Sequence, residues 1–140
     1  MAQLIKRFQY APQQDVIELY APNLVRVNFG VITENEADNT AETLWVKSCF
    51  DEMKQLVQPP LKILINLSTI DSGEFNSKES NRLYREMLKD AAISQVAVYG
   101  LHPGWQLLID VLRVFVPNKL RTFATEDQAL AWLEVSNAAN

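Results

Sequence analysis

Short apolar runs that alternate with helix-like segments constrain the fold of this chain more than any other feature. Two of these runs are LKILINL at 61–67 and SQVAVYG at 94–100. Both have the length of strands, and the second shows no polar alternation, which indicates burial on both faces between parallel neighbours. A segment with Leu83, Tyr84 and Met87 on one side of a helix lies between them. Strands that alternate with helices form mostly parallel sheets with right-handed crossovers.

The residues before these runs predict an antiparallel hairpin. Apolar and polar residues alternate in VIELY at 16–20 and in LVRVNF at 24–29, with Ala-Pro-Asn between them. This alternation is typical of strands that bury one face. Residues 1–14 precede the hairpin and are assigned as an N-terminal lead-in.

Capping and breaking residues set the bounds of the first predicted helix. Thr33 and Glu36 have the spacing of a capping box, in which an N-cap hydroxyl is followed three residues later by a carboxylate. The helix continues to about Val57, because Pro59 and Pro60 cannot continue it. Its predicted core-facing residues are Val46, Phe50, Met53 and Val57.

The remaining elements complete one α/β domain over residues 1–140. Helices are predicted from about Asn76 to Leu88, from about Pro103 to Phe115 and from Thr125 to Leu133, and KLRTF at 119–123 is a short final strand. Residues 134–140 are predicted to fray as a polar tail. The order is ββαβαβαβα, a single mixed, mostly parallel five-stranded sheet with about four helices.

Composition excludes several classes of function. The 13 basic residues are scattered among 17 acidic ones, with a net charge of −4, so a nucleic-acid partner is not expected. Cys49 is the single cysteine, and it is predicted to be a buried thiol in the core. No secretory signal and no apolar run long enough for a membrane span is apparent. We therefore expect a cytoplasmic protein.

Three longer stretches resemble a known family. They are NLVRVNFGVITENEADNT at 23–40, ISQVAVYGLHPGW at 93–105 and LRTFATEDQALAWL at 120–133. All three are similar to parts of the SpoIIAA-like proteins. The first resembles the second strand of that family with the start of its first helix, the second resembles its "V-A-V-x-G" strand and the following turn, and the third resembles its closing strand and helix. That family has the STAS fold and is grouped with the CRAL-TRIO-like lipid carriers.

This resemblance implies a small bacterial regulatory or ligand-sensing domain, usually without catalytic activity. We expect a non-enzymatic module without a cofactor, which acts by binding a protein partner or, as a homodimer, a second copy of itself. In the anti-sigma-factor antagonists of the STAS fold, a serine in an Asp-Ser-Ser/Thr-Gly loop is phosphorylated to switch partner binding. The comparable loop here is Ile70-Asp71-Ser72-Gly73, which lacks one residue of the pattern. The resemblance makes Ser72 the candidate phosphorylation site.

His102, the only histidine, lies where a predicted strand passes into a helix. It fits a position at or near the N-cap, with Pro103 in the first turn, where a missing N–H has no cost. Contact with a ligand and catalysis are the alternatives. Catalysis requires an orienting carboxylate and a reacting partner, and a metal requires three or four donors, so we predict neither catalytic residues nor a metal site.

A ligand site, if there is one, is expected at the carboxyl ends of the strands, where open α/β sheets form a crevice. The candidate ligand-binding residues there are Ser68, Thr69, Ser72, His102 and Trp105. The N-terminus of the following helix favours an anionic group. The alternative to a partner-binding module is therefore a carrier or sensor of a small apolar or anionic, lipid-like ligand, held between the strand ends and the Trp105 helix.

The segment WQLLIDVLRVFV at 105–116 is unusually apolar. Asp110 and Arg113 are three residues apart on one side, where they can pair. The apolar circumference is wider than packing against one sheet requires, so the helix is either deeply buried or part of an interface or pocket wall. The candidate interface residues are Trp105, Leu108, Leu112 and Phe115.

Overall fold

The protein is described by a computed structural model that covers residues 3–31, 35–69, 77–102, 109–110, 113–114, 116 and 118–138, the last four by their backbone only. Six strands form one sheet, in the same order in space as along the chain. The first three strands are antiparallel, and the third to the sixth are parallel. The strands are β1 (Leu4–Tyr10), β2 (Asp15–Tyr20), β3 (Leu24–Asn28), β4 (Leu61–Asn66), β5 (Ile93–Tyr99) and β6 (Leu120–Phe123).

The mixed α/β architecture is as predicted, but the count of five strands is wrong. The additional strand, β1, lies inside the segment 1–14 that was expected to be a lead-in, and a short 3-10 helix, Ala11–Gln13, connects it to β2. The first four residues of β1 are exposed because the strand forms the edge of the sheet. An edge strand with little burial has no need of the apolar alternation by which the other strands are recognised.

Three helices are described, namely α1 (Glu36–Leu56), α2 (Lys78–Lys89) and α3 (Glu126–Ala138). The N-cap of α1 is Asn35, whose side chain accepts the N–H of Asp38 at 3.1 Å, and not the predicted Thr33, which lies outside the described residues. The helix α3 continues beyond Leu133, so residues 134–138 are helical and not a frayed tail. No described helix has the length and apolar character needed to cross a membrane.

Only parts of the predicted helix at 103–115 lie within the described residues. Ile109–Asp110 and Arg113–Val114 are helical there. Ile109 is buried in the core, whereas Val114 is 77% exposed. Arg113 Nη1 lies 3.8 Å from Asp110 Oδ1, which confirms the predicted pair.

The helices lie on opposite faces of the sheet. Cys49, Phe50 and Met53 of α1 and Met87 of α2 pack on inward-facing residues of β2 to β6, such as Val25. A smaller cluster on the other face joins Ala129 and Leu133 of α3 to Leu64 and Ala97. The main contacts of α3 are with β4, β5 and β6, and Leu24 and Arg26 of β3 lie at their border. Among the described residues, α3 therefore leaves β1 and β2 open on its side.

Cys49 is 3% exposed, as predicted for a core thiol, and burial raises its pKa to about 11. We therefore expect Ellman's reagent to leave the native protein unlabelled and to react with one thiol in guanidinium chloride, because only an accessible thiolate is reactive. A matched control is Ala41→Cys, at an exposed position of the same helix, which should react at once. Rapid labelling of native wild type would contradict the burial of Cys49.

Candidate functional site

The carboxyl ends of β3, β4 and β5 are tied together by polar side chains. Asn66 Nδ2 donates to Asn28 Oδ1 at 2.9 Å. Asn66 Oδ1 accepts two bonds from Ser68, from the backbone N–H at 2.9 Å and from Oγ at 2.6 Å. The backbone N–H of Leu67 donates to the carbonyl of Tyr99 at 3.0 Å. This end of the sheet is therefore an ordered polar rim.

Gly100 closes the space between the segments that follow β4 and β5. Its φ is +74°, and a Cβ built on it would lie 2.7 Å from Cβ of Ser68 and 2.8 Å from the backbone nitrogen of Ser68. Only glycine fits such an approach in this backbone conformation. The two segments are in direct contact, so no ligand fits between Ser68 and Gly100.

Three of the five predicted ligand-binding residues are described, and all lie at this end of the sheet. Ser68, Thr69 and His102 are exposed, and the Thr69 hydroxyl donates to the carbonyl of Phe29. The remaining predicted residues lie outside the described part of the chain; these are Ser72, Trp105, Leu108, Leu112 and Phe115. In the ranges that the structure describes, no group of three or more His, Cys, Asp or Glu side chains is arranged to hold a metal ion.

A second polar region lies where the first halves of α1 and α2 meet. Thr43 Oγ1 lies 2.8 Å from Ser80 Oγ, and Thr40 Oγ1 lies 2.7 Å from Ser77 Oγ. Asn39 Oδ1 accepts the backbone N–H of Ser77 at 2.7 Å. Ser77 is the N-cap of α2, so these bonds fix the start of α2 against α1.

A buried pair of carboxyl groups, Asp15 at the start of β2 and Glu42 on α1, lies at the same end of α1. Asp15 is 1% exposed and Glu42 is 7% exposed. The two side chains are hydrogen-bonded to each other, and Asp15 Oδ1 also accepts the backbone N–H of Gly30 at 2.9 Å. Two carboxylates have no proton to donate, so a hydrogen bond between them requires that one is protonated.

Glu42 is the protonated member of the pair. Its pKa is raised to about 9, mainly by burial and then by the hydrogen bond to Asp15 and the charge of Asp15. Burial also raises the pKa of Asp15, against the lowering effect of its hydrogen bonds to Glu42 and Gly30. Asp15 Oδ2 is buried and has no N–H or hydroxyl donor among the described residues.

Two tyrosines surround the acid pair. Burial raises the pKa of Tyr84, which is hydrogen-bonded to Thr43, and the charges of Glu42 and Asp15 raise it further. Burial and then the charge of Glu42 raise the pKa of Tyr10, whose ring lies 5.1 Å from that of Trp45. The acid pair therefore lies almost fully buried beside these two tyrosines.

The sequence contains a signal for this pair that was not used. The apolar face predicted for α1 begins at Val46, and the same face extends back by helical spacing to Thr43, Glu42 and Asn39. All three are buried. Polar residues on the buried face of a helix indicate a buried polar site, because they need partners there.

An apolar cavity lies between the sheet and the helices α1 and α2. Its volume is about 90 Å³. Met53, Tyr84 and Met87 line it on the helix side, and Val27 and Ile63 on the sheet side. A dry cavity of about 150 Å³ accepts benzene, so this cavity is too small for a lipid chain.

Comparison with known proteins gives a likeness in fold to solved structures but no match in sequence. No protein-family model and no curated protein matches this chain. Among solved structures, the chain is similar to an uncharacterized protein of the DUF3478 family from Shewanella loihica PV-4, which is described as having a SpoIIAA-like fold. The identity is 15%, the TM-score is 0.48, and the match covers 95% of each chain.

Proposed function

We propose that this protein is a non-enzymatic, STAS-like regulatory module that binds a protein partner through the uncovered part of its sheet. The observation that carries the proposal is that the main contacts of α3 are with β4 to β6, with β3 at their border, so that among the described residues α3 leaves β1 and β2 open on the same face. Inward-facing residues of β2 are buried, whereas the outward-facing ones are half-buried. We call this outward surface the open face; it consists of Arg7, Gln9, Val16, Glu18 and Tyr20, and it is bordered by Leu24, Arg26 and Asn28 of β3.

The chemistry of the open face suits a protein partner. Tyr and Arg are the residue types enriched in protein interfaces and in their energetic centres, and the open face contains Tyr20 and Arg7, with Arg26 at its border. Glu18 lies opposite both arginines in the strand register. Charges of alternating sign favour a partner of complementary pattern and disfavour others.

Three further predictions belong to this proposal and rest on the sequence alone. They are a homodimer through Trp105 and its neighbours, a phosphorylation switch at Ser72, and a cytoplasmic location. The alternative function is a carrier or sensor of a small apolar or anionic, lipid-like ligand, and the 90 Å³ apolar cavity gives no support to a lipid carrier. A carrier of that kind needs a pocket of roughly 300 Å³ or more.

Site-specific photo-crosslinking tests the proposal. A crosslinking amino acid at Glu18 should capture a defined protein in the host cell, whereas the same amino acid at Glu86, on the exposed side of α2, should not. With that protein purified, we expect Tyr20→Ala to weaken binding at least about tenfold, since an aromatic anchor contributes more than about 1 kcal/mol. Glu86→Ala is the matched control and should bind like wild type.

Two results would contradict the proposed function. One is equal capture from positions 18 and 86. The other is a Tyr20→Ala variant that folds normally by circular dichroism and binds the purified protein with wild-type affinity.

A further inference from the structure

The outer edge of β1 is an open strand edge within the described part of the chain. β1 is the first strand of the sheet, and β2 is its one neighbour there. Lys6–Tyr10 run in continuous register with Asp15–Leu19, whereas the register shifts between Leu4 and Lys6. The outward N–H and C=O groups of such a strand can pair with another extended chain.

A row of charges of alternating sign crosses the open face and ends at this edge. Arg7 lies opposite Glu18, Glu18 lies opposite Arg26, and Arg26 pairs with Glu126 at the start of α3. Neighbouring strands are about 4.8 Å apart, so directly opposite residues interact. If another strand were added beside β1, the residue opposite Arg7 would continue the row, and a negative side chain would be favoured there.

The other cation of the edge is already paired. Lys6 lies on the opposite face of β1, where its ammonium group contacts the Glu52 carboxylate of α1. Arg7 is therefore the charge that an added strand would meet on the open face. β1 contains two basic residues and no acidic one, in a chain of net charge −4.

A second copy of β1 is a poor occupant of this edge. Antiparallel pairing over the whole of Leu4–Tyr10 centres on Arg7 and places it opposite Arg7 of the second copy. Like charges directly opposite each other destabilise a strand pair. A lysine, an arginine and a register shift near an edge are features that oppose self-association.

We propose that the β1 edge binds an extended acidic segment of a protein partner, which adds a strand beside Lys6–Tyr10 and places a carboxylate opposite Arg7. This inference rests on the proposed function and specifies the chemistry of the partner. Leu4 and Ile5, which are 46% and 41% exposed, extend the site with apolar contacts at one end.

Peptide binding to the intact protein tests the inference. The probes are a peptide of alternating Val and Glu and the same peptide with Lys in place of Glu. We expect the acidic peptide to bind at least about tenfold more tightly at low salt, a preference that added salt weakens, with the largest NMR shift changes at the amides of Lys6–Tyr10. Arg7→Gln should abolish the preference and Arg7→Glu should reverse it.

Proline in the centre of the acidic peptide should abolish binding, because it removes an N–H from the new strand pair. Equal affinity for both peptides, no binding of either at millimolar concentration, or shift changes away from β1 would overturn the inference. So would a concentration-dependent dimer that forms through β1. Capture from Glu18 together with a negative peptide result would reject the edge site and leave the proposed function intact.

Discussion

Gly30→Ala should lower the free energy of unfolding by about 3 kcal/mol or more, at the upper end of what overpacking costs. A Cβ at this position would lie well inside 3.0 Å of the carbonyl oxygens of both Gln13 and Gln14. These are backbone atoms, which cannot rotate away. The clash can be relieved only if the chain after β3 moves away from the turn before β2. This movement would break the hydrogen bond from the Val31 N–H to the Gln13 carbonyl, whose N–O distance is 2.7 Å.

Urea unfolding of the variant and of wild type measures this cost. Val31→Ala is the matched control, because Val31 is the next residue and its side chain is 44% exposed. Truncation there should change the free energy of unfolding by no more than about 0.5 kcal/mol, as is usual for surface sites. A Gly30→Ala protein within about 1 kcal/mol of wild type would show that the close approach at Gly30 is not required.

Most of the sheet could be predicted because its inner strands are defined by burial. The alternation in VIELY and LVRVNF is the alternation of buried and half-buried positions seen in β2 and β3. The strand β4 has four buried residues in a row, as the apolar run at 61–67 indicates. The edge strand β1 could not be found in this way, since the side chains of Leu4 to Arg7 are exposed and its pairing with β2 is a long-range property.

The predicted ligand-binding residues that the structure describes lie at the carboxyl ends of the strands, as expected, but the sequence analysis did not predict the other polar contacts at that end. The sequence places Ser68, Thr69 and His102 there because strand order fixes which ends meet. It could not show that Gly100 packs directly on Ser68, or that Asp15 of β2 reaches Glu42 of α1. Both contacts depend on how segments far apart in the chain pack together, and the periodicity of apolar residues gives no information on such long-range contacts.

The acid pair should make the protein less stable as the pH rises from about 5 to about 9. In the unfolded chain Glu42 loses its proton near its ordinary pKa of 4.5, whereas in the folded protein its pKa is about 9. Between these values the folded state binds more protons than the unfolded state, so stability falls with pH, by up to about 1.4 kcal/mol per pH unit for one proton. The stabilisation is complete below the unfolded pKa and is lost as the pH passes the folded pKa.

Glu42→Gln tests whether this proton causes the slope. The amide has the same shape and can donate an N–H to Asp15, but it has no proton to lose in this range. We expect urea unfolding of this variant to give a flatter dependence on pH and, near pH 9, a higher free energy of unfolding than wild type. Glu86→Gln, at an exposed glutamate of α2, should keep the wild-type slope. If Glu42→Gln also keeps the wild-type slope, the pH dependence has another origin, because the variant lacks the carboxyl group that binds the proton.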